Sequence, residues 1–185
     1  MTALLEVQGL RVELPTAAGW VRPVHDVSLS IGAGEALGLV GESGSGKTML
    51  ALALMGLLPP GARVAGEAWL SAQTPSATNG RLKAAATRSE RRNLAALRES
   101  EWRAVRGREI AMVFQEPMTS LNPVMRAGAQ VEEAIRAHDP RLDSSEMRRR
   151  TIAALERAAV PEPELRAGQF PHQLSGGLRQ RVMIA

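Results

Sequence analysis

The stretch from Gly41 to Thr48 constrains the fold of this chain more than any other. Its sequence, GESGSGKT, fits the pattern G-x-x-x-x-G-K-[ST]. Glycines at these spacings let successive backbone N–H groups turn toward phosphate oxygens, because no Cβ atom stands in the way. A lysine at position 47 can reach the outer phosphates, and a threonine hydroxyl at position 48 can ligate Mg²⁺. The motif therefore predicts a nucleoside-triphosphate site, with nucleotide contacts at Gly41, Ser43, Gly44, Ser45, Gly46, Lys47 and Thr48.

The residues on either side of this motif favour a loop between a strand and a helix. Ala36–Val40 is a short apolar run between turn signals, which is typical of a strand buried on both faces. Met49–Leu58 is apolar on all sides and is followed by two prolines and a glycine, so it predicts a buried helix. The N-terminus of that helix would add its dipole and free N–H donors to the phosphate site. A glycine-rich turn without a ligand is the alternative interpretation.

The patterns before residue 115 otherwise indicate β structure. Leu4–Leu14 and Val24–Ile31 alternate loosely between apolar and polar residues, as strands do, with a turn around Ala17–Gly19 between them. A further turn is expected at Gly32–Glu35. Ile110–Phe114 is apolar and predicts a second buried strand.

Loops and helices are expected elsewhere. Ser71–Gly80 is turn-rich and predicts a loop, and Arg81–Arg98 predicts an exposed helix or a partly ordered insertion. Gln115–Pro123 predicts another loop, after which every pattern is helical. Ser144 is placed to cap a helix that prolines at 161 and 163 would end. The apolar side of that helix carries Met147, Thr151, Leu155 and Ala158.

The composition excludes several classes of protein. The 185 residues include no cysteine, which excludes disulfides, thiolate metal sites and cysteine nucleophiles. No signal peptide is visible at the start, and the longest apolar stretch is far shorter than the roughly 20 residues of a spanning helix. The net charge is +4 and aromatic residues make up 3% of the chain. The arginine clusters at 88–92 and 148–150 therefore favour solvated helix faces over nucleic-acid binding.

Two later segments, in this order after the phosphate-binding motif, carry a resemblance to a known family. Met112-Val113-Phe114-Gln115 places a glutamine directly after an apolar run, and Leu174–Arg181 places Ser-Gly-Gly at the start of a helix. The whole chain resembles the ATP-binding domain of ABC transporters. The resemblance implies that Gln115 contacts Mg²⁺ and the attacking water, so that Lys47 and Gln115 are catalytic and Thr48 and Gln115 bind the metal. It also implies that Ser175, Gly176 and Gly177 contact the nucleotide held by a partner domain.

A further segment resembles one particular branch of this family. Gln115–Pro123, with the sequence QEPMTSLNP, resembles the di- and oligopeptide importers and their nickel-importing relatives. Phe170–Gln173 lies just before Ser175, Gly176 and Gly177, which match the signature motif of the family, and it is similar to the same branch. Leu178 departs from the glutamine that is commonest at the fifth signature position, although an apolar residue followed by Arg-Gln-Arg is usual in this branch. Peptide, nickel and other solutes all stay open as cargo.

The positions of the aromatic and histidine residues indicate their roles. The resemblance implies that adenine stacks on an aromatic residue of the first β region. Trp20 is the one aromatic residue before the phosphate motif, so it is the candidate, with ordinary packing as the alternative. The resemblance places the catalytic histidine after the signature, which makes His172 a structural residue. His25 and His138 are expected at the surface. The chain is longer than its relatives between Leu70 and Leu97, and no function is assigned to that insertion.

The predicted fold class is α/β, namely a P-loop NTPase of the ABC type with a RecA-like core, an antiparallel β subdomain and a helical subdomain. The β region is expected in residues 1–35 and 62–108, the core in 36–61 and 109–116, and the helical subdomain in 117–185. The resemblance also implies an apolar strand after the signature that ends in Asp-Glu, where the Asp would hold Mg²⁺ and the Glu would polarise the attacking water, followed by a switch histidine. Neither the Asp-Glu pair nor this histidine has a match in the sequence. We therefore expect a single domain that is incomplete at its C-terminus, hydrolyses ATP negligibly by itself and folds marginally.

The resemblance implies an ATP-binding subunit that couples ATP hydrolysis, with Mg²⁺, to uptake of di- or oligopeptides. Its expected partners are transmembrane permease subunits, a second ATP-binding subunit and, indirectly, an extracytoplasmic solute-binding protein, with no nucleic acid. Its expected location is peripheral, on the cytoplasmic face of the cell membrane. The alternatives are a soluble ABC ATPase outside transport and an inactive fragment that binds nucleotide without turnover.

Overall fold

The computed structural model describes residues 3–71, 91–114 and 120–185. The chain divides into two compact units, Met1–Ala111 and Met112–Ala185. Neither the predicted loop at residues 72–80 nor Gln115 lies within the described residues, and the same holds for residues 81–90 of the predicted insertion.

The first unit is an antiparallel sheet with short helices packed against it. The strands are β1 (Ala3–Thr16), β2 (Gly19–Gly32), β3 (Arg63–Ser71) and β4 (Arg91–Asn93), in the spatial order β2-β1-β3-β4. The helices are α1 (Lys47–Leu54), a 3₁₀ turn (Leu94–Ala96) and α2 (Glu99–Val105). The predicted strands before residue 32 and the turn between them are confirmed. Each strand extends beyond its predicted ends, because the cross-strand pairing continues to the hairpin.

One face of this sheet forms the core of the first unit. The side chains of Val7, Leu10 and Val12 on the central strand are at most 1% exposed. They pack in one cluster with Leu50 of α1 and Trp102 of α2. Val7 and Leu10 are three positions apart, and the β-bulge between them brings both side chains to the face that the helices cover. The position of α1 on the sheet fixes where the loop before it lies.

Helix α1 ends four residues earlier than predicted. The backbone of Gly56 has a φ of 61°, and the N–H of Leu57 donates to the carbonyl of Leu52 at 2.8 Å, so a left-handed residue closes the helix. A Cβ on Gly56 would lie 2.3 Å from the ring of Trp102. The expectation that this helix is buried on all sides is also wrong, since only Leu50 and Ala53 are buried within it.

The two predicted buried strands are wrong for this structure. Residues 36–40 form no strand, and the side chain of Val40 is 92% exposed. Of residues 110–114, only Ile110 makes a bridge, to Arg106, and Phe114 is 49% exposed. A strand buried on both faces needs a hydrogen-bonded neighbour on each edge. Every named strand in the described part of the chain belongs to the antiparallel sheet, and none pairs with either run.

The helix alternative for Arg81–Arg98 is wrong for its described part. Arg91–Asn93 forms β4 against β3, and a 3₁₀ turn follows. The Oδ1 atom of Asn93 accepts from the N–H groups of Ala95 and Ala68, and Leu94 is 2% exposed. A buried leucine and an asparagine that caps the turn favour this arrangement over the weak helical pattern.

The second unit is helical, as predicted for the residues after the Gln115–Pro123 loop. Its helices are α3 (Ala127–His138), α4 (Ser144–Arg157), α5 (Pro163–Ala167), a 3₁₀ turn (Pro171–Gln173) and α6 (Gly176–Ile184). The core includes Val131, Leu155, Leu174 and Val182. Helix α6 packs against this core through Val182.

Helix α4 begins one residue earlier than the predicted cap implies. The cap is Asp143, whose Oδ1 accepts from the N–H groups of Ser145 and Glu146 at 2.9 Å each, and Ser144 is the first helical residue. A carboxylate is favourable at this position because it carries a negative charge at the positive end of the helix.

Within α4, hydrogen bonds from Arg149 and Arg150 lower the pKa of Glu146 to about 2. Three of the four residues predicted for the apolar side are buried, and Ala158 is half-buried.

Candidate functional site: a phosphate-binding loop

The loop between residues 41 and 46 folds around the side chain of Lys47. The Nζ atom of Lys47 donates to the carbonyls of Gly41 at 2.8 Å and Glu42 at 2.7 Å, and to the Oγ atom of Ser45 at 3.1 Å. These three acceptors hold the ammonium group on the loop. The loop therefore presents a fixed positive charge beside its own backbone, which is an arrangement suited to a polyanion.

The N-terminus of α1 opens into the same loop without a side-chain cap. Its cap residue is Gly46, and the first helical hydrogen bond runs from the N–H of Leu50 to the carbonyl of Gly46 at 2.9 Å. The preceding N–H groups of the first turn consequently have no partner within the helix. No acidic residue lies in that turn, whereas α4 and α6 are capped by Asp143 and Ser175. The positive end of the α1 dipole is left for a ligand.

Gly46 is required at its position by both conformation and space. Its φ is 90°, and a Cβ there would lie 1.9 Å from the carbonyl oxygen of Pro23 in β2. The loop therefore abuts the hairpin directly, and any side chain at this position would push α1 and β2 apart.

A cavity of about 400 Å³ lies between the loop and the hairpin. Its walls include Ser45, Gly46 and Lys47 on one side and Pro23, His25 and Val27 of β2 on the other. Leu39 and Val40, from the run wrongly predicted as a strand, also line it. Apolar walls with a few converging donors are typical of small-molecule sites. The uncapped helix end, the Lys47 ammonium and the exposed Thr48 hydroxyl fit a magnesium-bound triphosphate.

The structure places Trp20 away from this cavity. Trp20 lies near the turn of the β1–β2 hairpin, is 46% exposed and has the guanidinium of Arg63 3.9 Å above its ring. It is not among the residues that line the loop cavity. His25 is exposed, as expected, but it does line the cavity, which no motif in the sequence indicated.

The signature residues form a capped helix start in the second unit. The Oγ atom of Ser175 accepts from the N–H of Leu178 at 3.3 Å. Gly176 and Gly177 are exposed, and a Cβ on either would meet no atom within 4 Å. The turn therefore has open space above it. His172 is exposed and stacks on Phe170 with ring centroids 5.7 Å apart and an interplanar angle of 8°, while His138 ends α3.

Among residues 3–71, 91–114 and 120–185, no three histidine, aspartate or glutamate side chains are grouped so that they could hold a metal ion. Within the same ranges, no helix is both long enough and apolar enough to cross a bilayer.

A glycine loop, an inward lysine and an uncapped helix together define a phosphate-binding loop protein. The chain belongs to the ABC transporter family, whose profile matches residues 24–185. It is 40% identical to the oligopeptide transport ATP-binding protein OppD of Bacillus subtilis (strain 168) over 187 residues, covering 100% of this chain and 47% of that protein. It is 37% identical to the dipeptide transport ATP-binding protein DppD of Lactococcus lactis subsp. cremoris (strain MG1363), covering 98% of this chain and 47% of that protein.

Solved structures agree with the family. The dimeric structure of MJ0796, a bacterial ABC transporter cassette, is similar with a TM-score of 0.71 at 25% identity, covering 97% of this chain and 67% of that one. The predicted family and the ABC-type fold class are thus confirmed. The chain spans about half the length of the curated relatives it matches.

Proposed function

We propose that this chain is the ATP-binding part of an ABC importer for oligopeptides or dipeptides. The observation that carries the proposal is the loop at residues 41–46, with the Lys47 ammonium held on its carbonyls and the uncapped end of α1 behind it. Relatives named for oligopeptide and dipeptide transport match nearly the whole chain, which supports peptides as the cargo.

The loop residues would bind the triphosphate of ATP. Lys47 would leave its carbonyl acceptors and pair with the outer phosphates, and the N–H groups of the first turn of α1 would donate to them. The Thr48 hydroxyl, exposed on that turn, would hold Mg²⁺, with Gln115 as a second contact implied by the family. Mg²⁺ held there would neutralise phosphate charge. Ser175, Gly176 and Gly177 would contact the nucleotide of a partner subunit, since their turn has a free face.

The assembly would comprise two ATP-binding subunits and transmembrane permease subunits, supplied with cargo by a solute-binding protein outside the membrane. The dimeric MJ0796 cassette supports the pairing of two such domains. In this assembly the chain would lie on the cytoplasmic face of the membrane. We also propose a division into a β region at 1–35 and 62–108, a core at 36–61 and 109–116, and a helical subdomain at 117–185.

We infer that residues 1–185 hydrolyse ATP negligibly when isolated. The family resemblance implies a general-base glutamate after an apolar strand and an Asp, and these residues include no such Asp-Glu pair. A polypeptide of these residues should therefore bind ATP without turnover. Hydrolysis that is lost in Lys47→Ala would overturn this inference.

Uptake by the reconstituted importer tests the proposed function. The full protein is purified with its permease partners, placed in liposomes and supplied with the binding protein and a labelled oligopeptide. We expect uptake that requires internal ATP and disappears in Lys47→Ala. Uptake of a labelled nickel ion in place of the peptide, or no difference between the variant and the wild type, would contradict the proposal.

A further inference from the structure

The C-terminal end of α1, opposite the phosphate loop, is held by the side chain of Arg106. The Nε atom of Arg106 donates to the carbonyl of Met55 at 2.8 Å, and its Nη2 atom donates to the carbonyl of Gly56 at 2.6 Å. These two carbonyls come directly after Leu54, the last residue of the helix. A cation at this end of a helix also interacts favourably with the helix dipole. One guanidinium therefore closes the end of α1 that lies away from the phosphate site.

Helix α2 keeps this guanidinium in place. Arg106 follows the last residue of α2, and its backbone N–H donates to the carbonyl of Trp102 at 2.9 Å. Its Nη1 atom donates to Oε1 of Glu99 at 2.7 Å, and the guanidinium lies 5.0 Å from the centre of the Trp102 ring. The side chain is 21% exposed. Because Arg106 is fixed to α2 and to a buried ring, it can act as an anchor for α1.

The other contacts of α1 leave its position along its own axis weakly determined. Two of its eight residues, Leu50 and Ala53, are buried, and apolar packing of this kind is not directional. No side chain caps its N-terminus, where Gly46 abuts the carbonyl of Pro23 and cannot approach β2 further. The hydrogen bonds from Arg106 are directional, and they act at the opposite end.

The position of α1 sets the position of the groups that would bind phosphate. Lys47 is the first residue of the helix, and the unpaired N–H groups belong to its first turn. The helix is about 12 Å long and is hydrogen-bonded along its length, so a displacement at Met55 also displaces Lys47. Binding groups need to stay within about 0.5 Å of their productive positions. An anchor at the far end of α1 therefore affects the phosphate site without contacting it.

We propose that Arg106 is a positioning residue for the phosphate loop. It anchors α1 so that the Lys47 ammonium and the N–H groups of the first turn stay where they bind the triphosphate. This inference rests on the proposed function, since it assumes that the loop binds the phosphates. It extends the nucleotide site to a residue far outside the G-x-x-x-x-G-K-[ST] motif.

The test compares binding of ATP with binding of inorganic tripolyphosphate, which has the phosphates and no base. Each probe is titrated with Mg²⁺ into the full chain by calorimetry, for the wild type, Arg106→Ala and Arg106→Lys. The apparent affinity falls with the fraction of molecules in which the site is correctly arranged, so we expect Arg106→Ala to bind both probes about tenfold more weakly. Lysine restores a cation with donors at the same carbonyls, so Arg106→Lys should bind both within about threefold of the wild type.

Two control variants separate positioning from charge and from stability. Arg108→Ala removes an exposed arginine from the same turn and should bind both probes as the wild type does. Leu70→Ala removes a buried side chain from the core of the first unit but no hydrogen bond to α1. It should lower the thermal midpoint and leave both affinities unchanged. All titrations are done well below the lowest thermal midpoint of the set.

The outcomes distinguish this inference from the proposed function. Unchanged affinities in Arg106→Ala, a loss confined to ATP, or an equal loss in Leu70→Ala would overturn the positioning role. If Arg106→Ala does not unfold cooperatively, Arg106→Gln takes its place, and unchanged affinities in that variant would overturn the role equally. If Lys47→Ala weakens both probes while the Arg106 variants weaken neither, the proposed function stands and this inference fails. If Lys47→Ala changes neither probe, the loop is not the binding site and the proposed function itself fails.

Discussion

Two glycines of the phosphate loop offer a matched test of how it is held against the hairpin. Gly44 and Gly46 both have left-handed backbones, with φ of 81° and 90°. They differ in the space around them. A Cβ on Gly44 would meet nothing within 4 Å, whereas one on Gly46 would overlap the carbonyl oxygen of Pro23 at 1.9 Å.

The two alanine variants should therefore lose different amounts of stability. The left-handed conformation costs an alanine about 1–2 kcal/mol at either position. At Gly46 the overlap is with backbone of β2, which is anchored by Val24 at 3% exposure, so loop or strand must shift. Overpacking of this kind adds about 1–3 kcal/mol. We expect Gly44→Ala to lower the free energy of unfolding by about 1–2 kcal/mol and Gly46→Ala by about 2–5 kcal/mol.

Urea denaturation followed by tryptophan fluorescence measures this difference. All three tryptophans, at positions 20, 69 and 102, lie in the first unit, so their emission reports on its unfolding. With a denaturant slope of about 1–3 kcal/mol per molar, the midpoint of Gly46→Ala should lie about 1 M below that of Gly44→Ala. Equal midpoints for the two variants would refute the claim that α1 is packed against the carbonyl of Pro23.

Three further predictions concern the helical unit, and each is checked by urea denaturation followed by circular dichroism. Ala159 closes α4 with a φ of 57°, so Ala159→Gly should stabilise this unit by about 1 kcal/mol, and a loss of stability would argue against the left-handed conformation. Asp143→Ala should lower the urea midpoint because two N–H groups lose their acceptor, while Ser144→Ala should leave it unchanged. A lower midpoint in Ser144→Ala but not in Asp143→Ala would show that Ser144 is the cap. The pKa of Glu146 is about 2 in the folded chain, below its ordinary value of 4.5. Its stabilising effect is therefore complete above pH 4.5 and is lost as the pH falls toward 2, and Glu146→Gln should weaken that dependence.

Local patterns predicted the hairpin, the glycine-rich loop before α1 and the serine cap of α6. Alternation along Leu4–Leu14 is enough to identify a strand with one buried face, because the partner strand follows immediately after a short turn. Likewise, Gly44 and Gly46 of GESGSGKT have left-handed backbones that few other residues adopt, and Ser175 caps the helix that begins at Gly176. These features are determined by neighbours in the sequence.

The errors lie where structure depends on distant partners. Ala36–Val40 has the composition of a buried strand, but composition does not supply the neighbours that would pair with it. Helix α1 ends at Leu54 because Gly56 turns left-handed against Trp102, a residue 46 positions later. The place of His25 on the cavity wall follows from the contact between Gly46 and β2, and no local motif encodes that contact.

Equilibrium binding of ATP to the full chain tests the central claim most directly. The loop holds the Lys47 ammonium through three acceptors and would exchange them for phosphate oxygens. Hydrogen bonds to charged groups contribute about 1.5–3 kcal/mol, so Lys47→Ala should weaken magnesium-dependent ATP binding by about 10- to 100-fold. Arg141→Ala removes an exposed positive charge from the helical unit and should bind ATP as the wild type does. Equal affinity in the wild type and Lys47→Ala, or an equal loss in both variants, would contradict a phosphate-binding loop at residues 41–48.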